Sequence, residues 1–188
     1  AGGDSDGEVV VNLAKDVAPE SMDPINAEDG FSMELIGATM SGLYTLDAED
    51  NLVPDLATEC TVSEDGMTYT FKIREDAKWS NGEPLDPSDL VYSWNRAADP
   101  VPASDYGYMF APIKGYDEMT EMDADGNLVN PDAQLAVTAS EDGKTLTVEL
   151  TFPCAFFLDL CAFPTYFPVY QEAFEAADPE GNTRGAWA

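Results

Sequence analysis

Apolar residues along this chain recur at two periods, and the period changes from one stretch to the next. Tyr69, Phe71 and Ile73 alternate with polar neighbours and predict a strand over residues 68–74, entered from residues 60–62 through the turn Ser63, Glu64, Asp65, Gly66. Leu135, Val137 and Ala139 alternate in the same way, as do Leu146, Val148 and Leu150. Between them stand the same four letters, Ser140, Glu141, Asp142 and Gly143, so a second hairpin is predicted. Ser-Glu-Asp-Gly is a common turn solution in which glycine supplies a positive φ, and its repetition reads as convergence rather than duplication. Residues 43–57, "LYTLDAEDNLVPDLA", predict a strand, an acidic turn and a return strand with Pro54 marking an edge. Residues 9–13 form a further short β-rich stretch.

The helical period takes over at Leu90, Val91, Trp94, Ala97 and Ala98, which form one apolar stripe. Asp86 is placed to cap that helix, Pro87 suits its first turn, Asp89 favours the positive end of its dipole, and Asp99-Pro100 ends it. Just upstream, Asn81-Gly82 predicts a tight two-residue reversal, because both residues tolerate a positive φ. Trp79 and Trp94 therefore flank a corner joining a strand to a packed helix. A second helix is predicted over residues 31–44, with Met33, Ile36, Met40 and Leu43 on one side. Residues 152–170, "FPCAFFLDLCAFPTYFPVY", predict a short helix and then a proline-broken aromatic strand, and residues 171–177 a last helix. Helices and mostly antiparallel strands are mixed rather than alternating, which is the α+β class.

Composition narrows the chemistry. The 188 residues hold 37 Asp and Glu against 8 Lys and Arg, a formal net charge of -29 that repels phosphate backbones and anionic lipid headgroups and excludes nucleic acid as a partner. Solubility or a salty habitat accounts for this acidity; attraction of cationic ligands is the sharper alternative. The best apolar run, residues 154–170, is interrupted by Asp159, Pro164 and Pro168 and falls short of a membrane span. The opening residues, "AGGDSDGE", read as a flexible tether over residues 1–8 of the kind that follows a lipid-carrying cysteine.

With no histidine in the sequence, Ser-His-Asp and Cys-His arrangements cannot be built, and the usual zinc spacings are missing. There is neither a Walker loop nor a G-x-G-x-x-G turn. Residues 123–127, "DADGN", resemble the start of a calcium loop, but Leu128 stands where its glycine belongs, so they read as a turn. Cys154 and Cys161 lie seven apart. On a continuous helix they share a face two turns apart, too far to bridge, so free thiols are expected there and at Cys60. No cofactor and no metal are expected. Carboxylates are plentiful but sit in no distinctive motif, which leaves a two-carboxylate carbohydrate-active enzyme as an alternative from another class. A pure protein-interaction domain is a third. Phe31, Tyr106, Tyr108, Phe110 and Tyr116 lie in loops; read singly they are packing residues, and read together, without catalytic partners, they suggest a binding surface.

Residues 42–100 carry a more specific signal in the combination of Gly-Leu-Tyr, Leu-Val-Pro-x-Leu-Ala, Asp-Gly-x-x-Tyr-Thr-Phe, Lys-Trp-Ser-x-Gly-x-Pro and Asp-x-Val-Tyr-Ser-Trp. Together with "ESMDP" upstream and "AFFLDLCAFPTYFPV" downstream, this resembles the N-terminal region of extracellular solute-binding proteins of family 5, the peptide receptors of ABC importers. "ADPVPASDYGYMF" is similar to the oligopeptide branch. The resemblance implies the N-terminal lobe fragment of a two-lobed periplasmic-binding-protein-like fold: a tether at 1–8, the start of the first lobe at 9–40, the family's extra subdomain at 41–166, and a return into the first lobe at 167–188. It implies a non-enzymatic receptor that binds peptides in an extended conformation and delivers them to the transmembrane permease subunits. Such a receptor sits on the extracellular face of the membrane or in the periplasm, held by a lipid anchor upstream of Ala1. It further implies that Glu28, Asp29, Gly30 and Phe31 run alongside the peptide backbone and that Tyr106 packs near its amino end, with Tyr108 a neighbour by position. The family also includes sugar, opine, haem and nickel binders. Nickel would want histidine, whereas a haem iron could be met by methionine or tyrosine.

Overall fold

The computed structural model describes residue 12 and residues 16–101 and 104–177. The expected tether, and the β-rich stretch at 9–13 apart from Asn12, lie outside the described residues. The elements run α1 (Gly30–Thr39), β1 (Tyr44–Leu46), β2 (Leu52–Pro54), β3 (Ala57–Val62), β4 (Thr68–Ile73), α2 (Pro87–Ala98), α3 (Tyr116–Thr120), β5 (Val137–Ala139), β6 (Thr145–Glu149), α4 (Phe157–Leu160) and α5 (Gln171–Ala177), with 3-10 turns at Gly107–Phe110 and Pro164–Tyr166. It is a mixed assembly of helices and antiparallel sheets.

Both hairpins form where alternation puts them. They join through their inner strands into one antiparallel sheet of order β3-β4-β6-β5, while β1 and β2 make a separate ribbon. Tyr69 lies opposite Val148 and Phe71 opposite Leu146, and all four side chains are buried, so one face of the sheet is core. Ala139 departs from the expected alternation and is exposed. The two Ser-Glu-Asp-Gly turns close alike: the Ser63 hydroxyl meets the Asp65 carboxylate at 2.5 Å and the Ser140 hydroxyl meets Asp142 at 2.6 Å. Because β4 and β6 are antiparallel, the turns lie at opposite ends of the sheet.

Helix α2 is capped from both directions, since the Asp86 side chain accepts from the Ser88 N–H and the Asp89 carboxylate accepts from the Asp86 N–H. Its stripe is buried at Leu90, Trp94, Ala97 and Ala98 and half-buried at Val91. The helix lies against β5 and β6, and Trp94 reaches the Tyr69–Phe71 strand through Phe157, whose ring is 6.5 Å from the Trp94 ring and 4.9 Å from Tyr69. Phe110 stacks on Tyr166 at 4.2 Å to complete this aromatic centre.

Three local expectations are corrected and one is refined. The helix expected over residues 31–44 stops at Thr39, and Met40 is already extended. Gly42 explains the stop: a Cβ there would stand 2.4 Å from the Phe167 ring and 2.8 Å from the Cys161 carbonyl, so the backbone passes in close contact with a distant segment. Asn81 does not take a positive φ. Gly82 alone does, at 92°, while the Asn81 side chain accepts from the Glu83 N–H. The aromatic strand after α4 is instead the 3-10 turn Pro164–Tyr166, because the prolines at 164 and 168 remove donors that a ladder needs. Finally, α4 is a single turn, so Cys154 precedes the helix and the two cysteines do not share a continuous one; all three cysteines are free.

Apolar side chains gather in two clusters. The larger runs from Leu43 to Tyr166 with Ile25 added; the smaller consists of Ala27, Ile36 and Phe167 with Met22, Met33 and Met40 packed against it. No helix among the described residues is long and apolar enough to cross a membrane.

Candidate functional site

The segment expected to line the ligand is built around Ser32. This buried serine accepts from the N–H groups of Glu20 and Ser21 and donates to the Asp29 carboxylate, so the loop before α1 is laced to the helix start. Asp29 is extended, with φ -86° and ψ 150°, and caps α1 by accepting from Phe31 and Ser32. These donors, the Ser32 hydroxyl first, hold the Asp29 carboxyl below its ordinary value. The four candidate residues therefore divide. Glu28 and Asp29 precede the helix, whereas Gly30 and Phe31 form its first turn, and the Phe31 N–H is engaged by the cap.

Tyr106 and Tyr108 stand at the 3-10 turn after α2, and their ring centroids are 6.5 Å apart. Tyr108 is 63% exposed; Tyr106 is half-buried. The loops that lead into the two candidate stretches are far apart in sequence yet joined in space, because the Ser104 hydroxyl donates to the Ile25 carbonyl at 2.7 Å. A buried ion pair fixes the same approach, with both Arg96 terminal nitrogens on the Asp23 carboxylate. Asp23 also accepts from the Ile25 N–H and the Asn26 side chain, so the loop carrying the candidate edge is held rigidly to α2.

Two participants were not singled out from the sequence. Phe163 places its ring 5.3 Å from Tyr106, edge to face, and so extends the aromatic surface; no local pattern marks it beyond its place among neighbouring aromatics. Ser104 carries the link to Ile25 and is an unremarked serine in a loop. The turn "DADGN" is confirmed as one, since Asp123 accepts from the N–H groups of Asp125 and Asn127 and its carboxylate is spent inside the turn. An extended backbone segment and clustered rings are groups that can hold a ligand by main-chain pairing and ring contact.

A family model described as bacterial extracellular solute-binding proteins, family 5 Middle, matches residues 51–187. The oligopeptide-binding protein OppA of Bacillus subtilis is 37% identical over 172 residues, which is 92% of this chain and 30% of that protein. The structure of Listeria monocytogenes OppA bound to peptide superposes with a TM-score of 0.81 at 34% identity, covering 97% of this chain and 35% of the other. A third relative, the protein YgiS of Escherichia coli, described as a probable deoxycholate-binding periplasmic protein, is 32% identical over 80% of this chain and 27% of its own length. The chain spans about a third or less of the relatives it matches. With most of its length inside the family match, this chain belongs to the bacterial extracellular solute-binding proteins of family 5.

Proposed function

We propose that the chain is the N-terminal part of the substrate-binding component of an ABC importer, which takes up peptides in an extended conformation outside the cell and delivers them to a membrane permease. The observation that carries this reading is the Ser104–Ile25 hydrogen bond, which ties the segment carrying Tyr106 and Tyr108 to the loop that leads into Glu28 and Asp29. Extended backbone recognises any peptide through groups that every residue has, and rings tolerate varied side chains. Peptide-binding names among the relatives support the ligand class. The two apolar clusters lend support to the division at residues 40–41 and 166–167: the smaller one, Ala27, Ile36 and Phe167 with Met22, Met33 and Met40, fits the start of the first lobe, and the larger one fits the extra subdomain apart from Ile25, which crosses the division. A lipid anchor upstream of Ala1 and a place on the extracellular face or in the periplasm belong to the same reading.

The name of the YgiS relative favours a second reading, in which an amphipathic non-peptide ligand occupies the same surface. Titration of the isotope-labelled chain with a pool of tri- to hexapeptides, followed by NMR, separates the two. The peptide reading expects shifts at Glu28, Asp29, Gly30, Phe31 and Tyr106 with millimolar affinity, about -4 kcal/mol, lost in Tyr106→Ala. Shifts produced by deoxycholate and not by the peptides would overturn it.

A further inference from the structure

A second cleft opens at the other end of α1. The helix has ten residues, so Thr39 lies about 15 Å from the Asp29 cap and the cleft is separate from the proposed peptide edge. It encloses about 580 Å³, the size of a small-molecule site. Met40, Leu56, Leu85 and Val169 give it apolar walls, and Trp79 and Tyr170 stand over it with ring centroids 5.4 Å apart.

Charge distinguishes this cleft from an ordinary apolar groove. Arg74 and Lys78 both line it, two of only eight basic residues in a chain of net charge -29. Arg74 is only loosely matched by its own neighbours: Asp55 and Asp76 stand 3.6 and 3.7 Å away, and its side chain stays 40% exposed. A loosely paired, partly exposed guanidinium is complementary to a planar carboxylate, which would make shorter, charge-assisted bonds than either aspartate does. Asp55 and Asp76 offset part of the Arg74 charge locally, so the preference for an anion rests on that loose pairing together with Lys78, while acids beyond a Debye length of about 8 Å are largely screened at physiological salt.

We propose that this cleft binds a small amphipathic carboxylate, with its acid group on Arg74 and Lys78 and its hydrocarbon body against Met40, Leu56 and Val169 beneath the Trp79–Tyr170 pair. A neutral apolar ligand would make no ionic contact with Arg74 or Lys78, and a cation would face two like charges. The site is independent of the peptide reading.

Calorimetry of the 188-residue chain with octanoate, and with 1-octanol as its uncharged twin, tests the proposal. Octanoate should bind at least about tenfold tighter than octanol, as expected for a charge-assisted hydrogen bond. The R74Q/K78Q variant should lose that preference while keeping octanol binding. Ala173→Trp, at an exposed position on the cleft wall and so harmless to folding, should block both. Equal binding of the two probes overturns the proposal, as does a preference that survives in R74Q/K78Q. Loss of octanoate binding in Tyr106→Ala would place the ligand on the peptide edge instead. Failure of a longer form of the protein to bind octanoate, when the 188-residue chain does bind it, would make the cleft an internal seam and equally overturn it.

Discussion

The indole N–H of Trp94 donates to the main-chain carbonyl of Tyr166 across 2.8 Å, and the neighbouring Ser93 hydroxyl accepts from the Val169 N–H at 2.9 Å. Consecutive residues of α2 thus hold the returning segment after α4. The Tyr166 hydroxyl continues the tie to the Met109 carbonyl at 2.7 Å.

Trp94 is fully buried, so its role in folding can be weighed by truncation. Trp94→Ala should cost about 3–5 kcal/mol in urea unfolding, through lost contacts and the cavity left behind. Trp94→Phe keeps much of the packing but strands the Tyr166 carbonyl, and should cost about 1–3 kcal/mol. A loss below about 1 kcal/mol for the alanine variant would contradict the central position assigned to this ring.

Arg96 joins three segments: it pairs with Asp23, which is 0% exposed, it belongs to α2, and its guanidinium lies 3.9 Å from the centre of the Phe174 ring on α5. Arg96→Leu would leave a buried carboxylate without its cation, at a cost of about 3–5 kcal/mol. The double variant D23N/R96L should recover part of that loss, since no charge then remains to be compensated. Equal stability of the single and double variants, measured by the same unfolding assay, would argue against the pair.

The cysteines make a labelling prediction. Cys60 is half-buried and Cys154 and Cys161 are buried; burial, and then the neighbouring thiols, push the Cys161 thiol well above its ordinary range. Because the thiolate is the reactive form, mass-tagging of native protein at pH 8 should modify Cys60 first, with Cys154 and Cys161 reacting only after denaturation. Recovery of a stoichiometric Cys154–Cys161 bridge would refute the free-thiol state.

The sequence made visible those parts of the fold that are decided locally. Alternation located β4, β5 and β6, the turn after residues 60–62 located the end of β3, and the Asp86-Pro87 start with its apolar stripe located α2 nearly to the residue. The end of α1 was not legible, because apolar spacing continues through Leu43 while the obstacle is Phe167, which reaches Gly42 only in the folded chain. The candidate edge was readable only through family resemblance. What makes it an arrangement, the Ser104–Ile25 bond and the Asp23–Arg96 pair, joins residues more than seventy positions apart and leaves no periodic trace.

Stability should depend on pH in an unusual way, because the chain has no histidine and nothing with an ordinary side-chain pKa titrates between about pH 8 and 6. Five turn or cap aspartates, Asp29, Asp47, Asp65, Asp123 and Asp142, have carboxyls held below their ordinary 3.8. The cause is the Ser32, Ser63 or Ser140 hydroxyl for Asp29, Asp65 and Asp142, and the Asn51 or Asn127 N–H for Asp47 and Asp123. A depressed folded-state value means that their stabilisation is present above 3.8 and is lost as pH falls through the lowered folded value. Asp89 has the opposite sign: burial raises its carboxyl, so its contribution is fully present below 3.8 and is lost as pH rises through the folded value. Acidification also relieves the self-repulsion of a chain at -29 before the turns give way. Thermal melts should therefore show a plateau from about pH 8 to 6, a rise toward about pH 4.5 as the acids begin to protonate, and a fall below the ordinary aspartate range. In about 1 M salt the Debye length drops to about 3 Å, so the rise should flatten while the acid-side fall persists. The D65N/D142N variant should soften that fall, because it removes two of the groups whose protonation drives it. A Tm already falling between pH 7 and 5, or a rise indifferent to salt, would show that neither the turn carboxylates nor the net charge controls the profile.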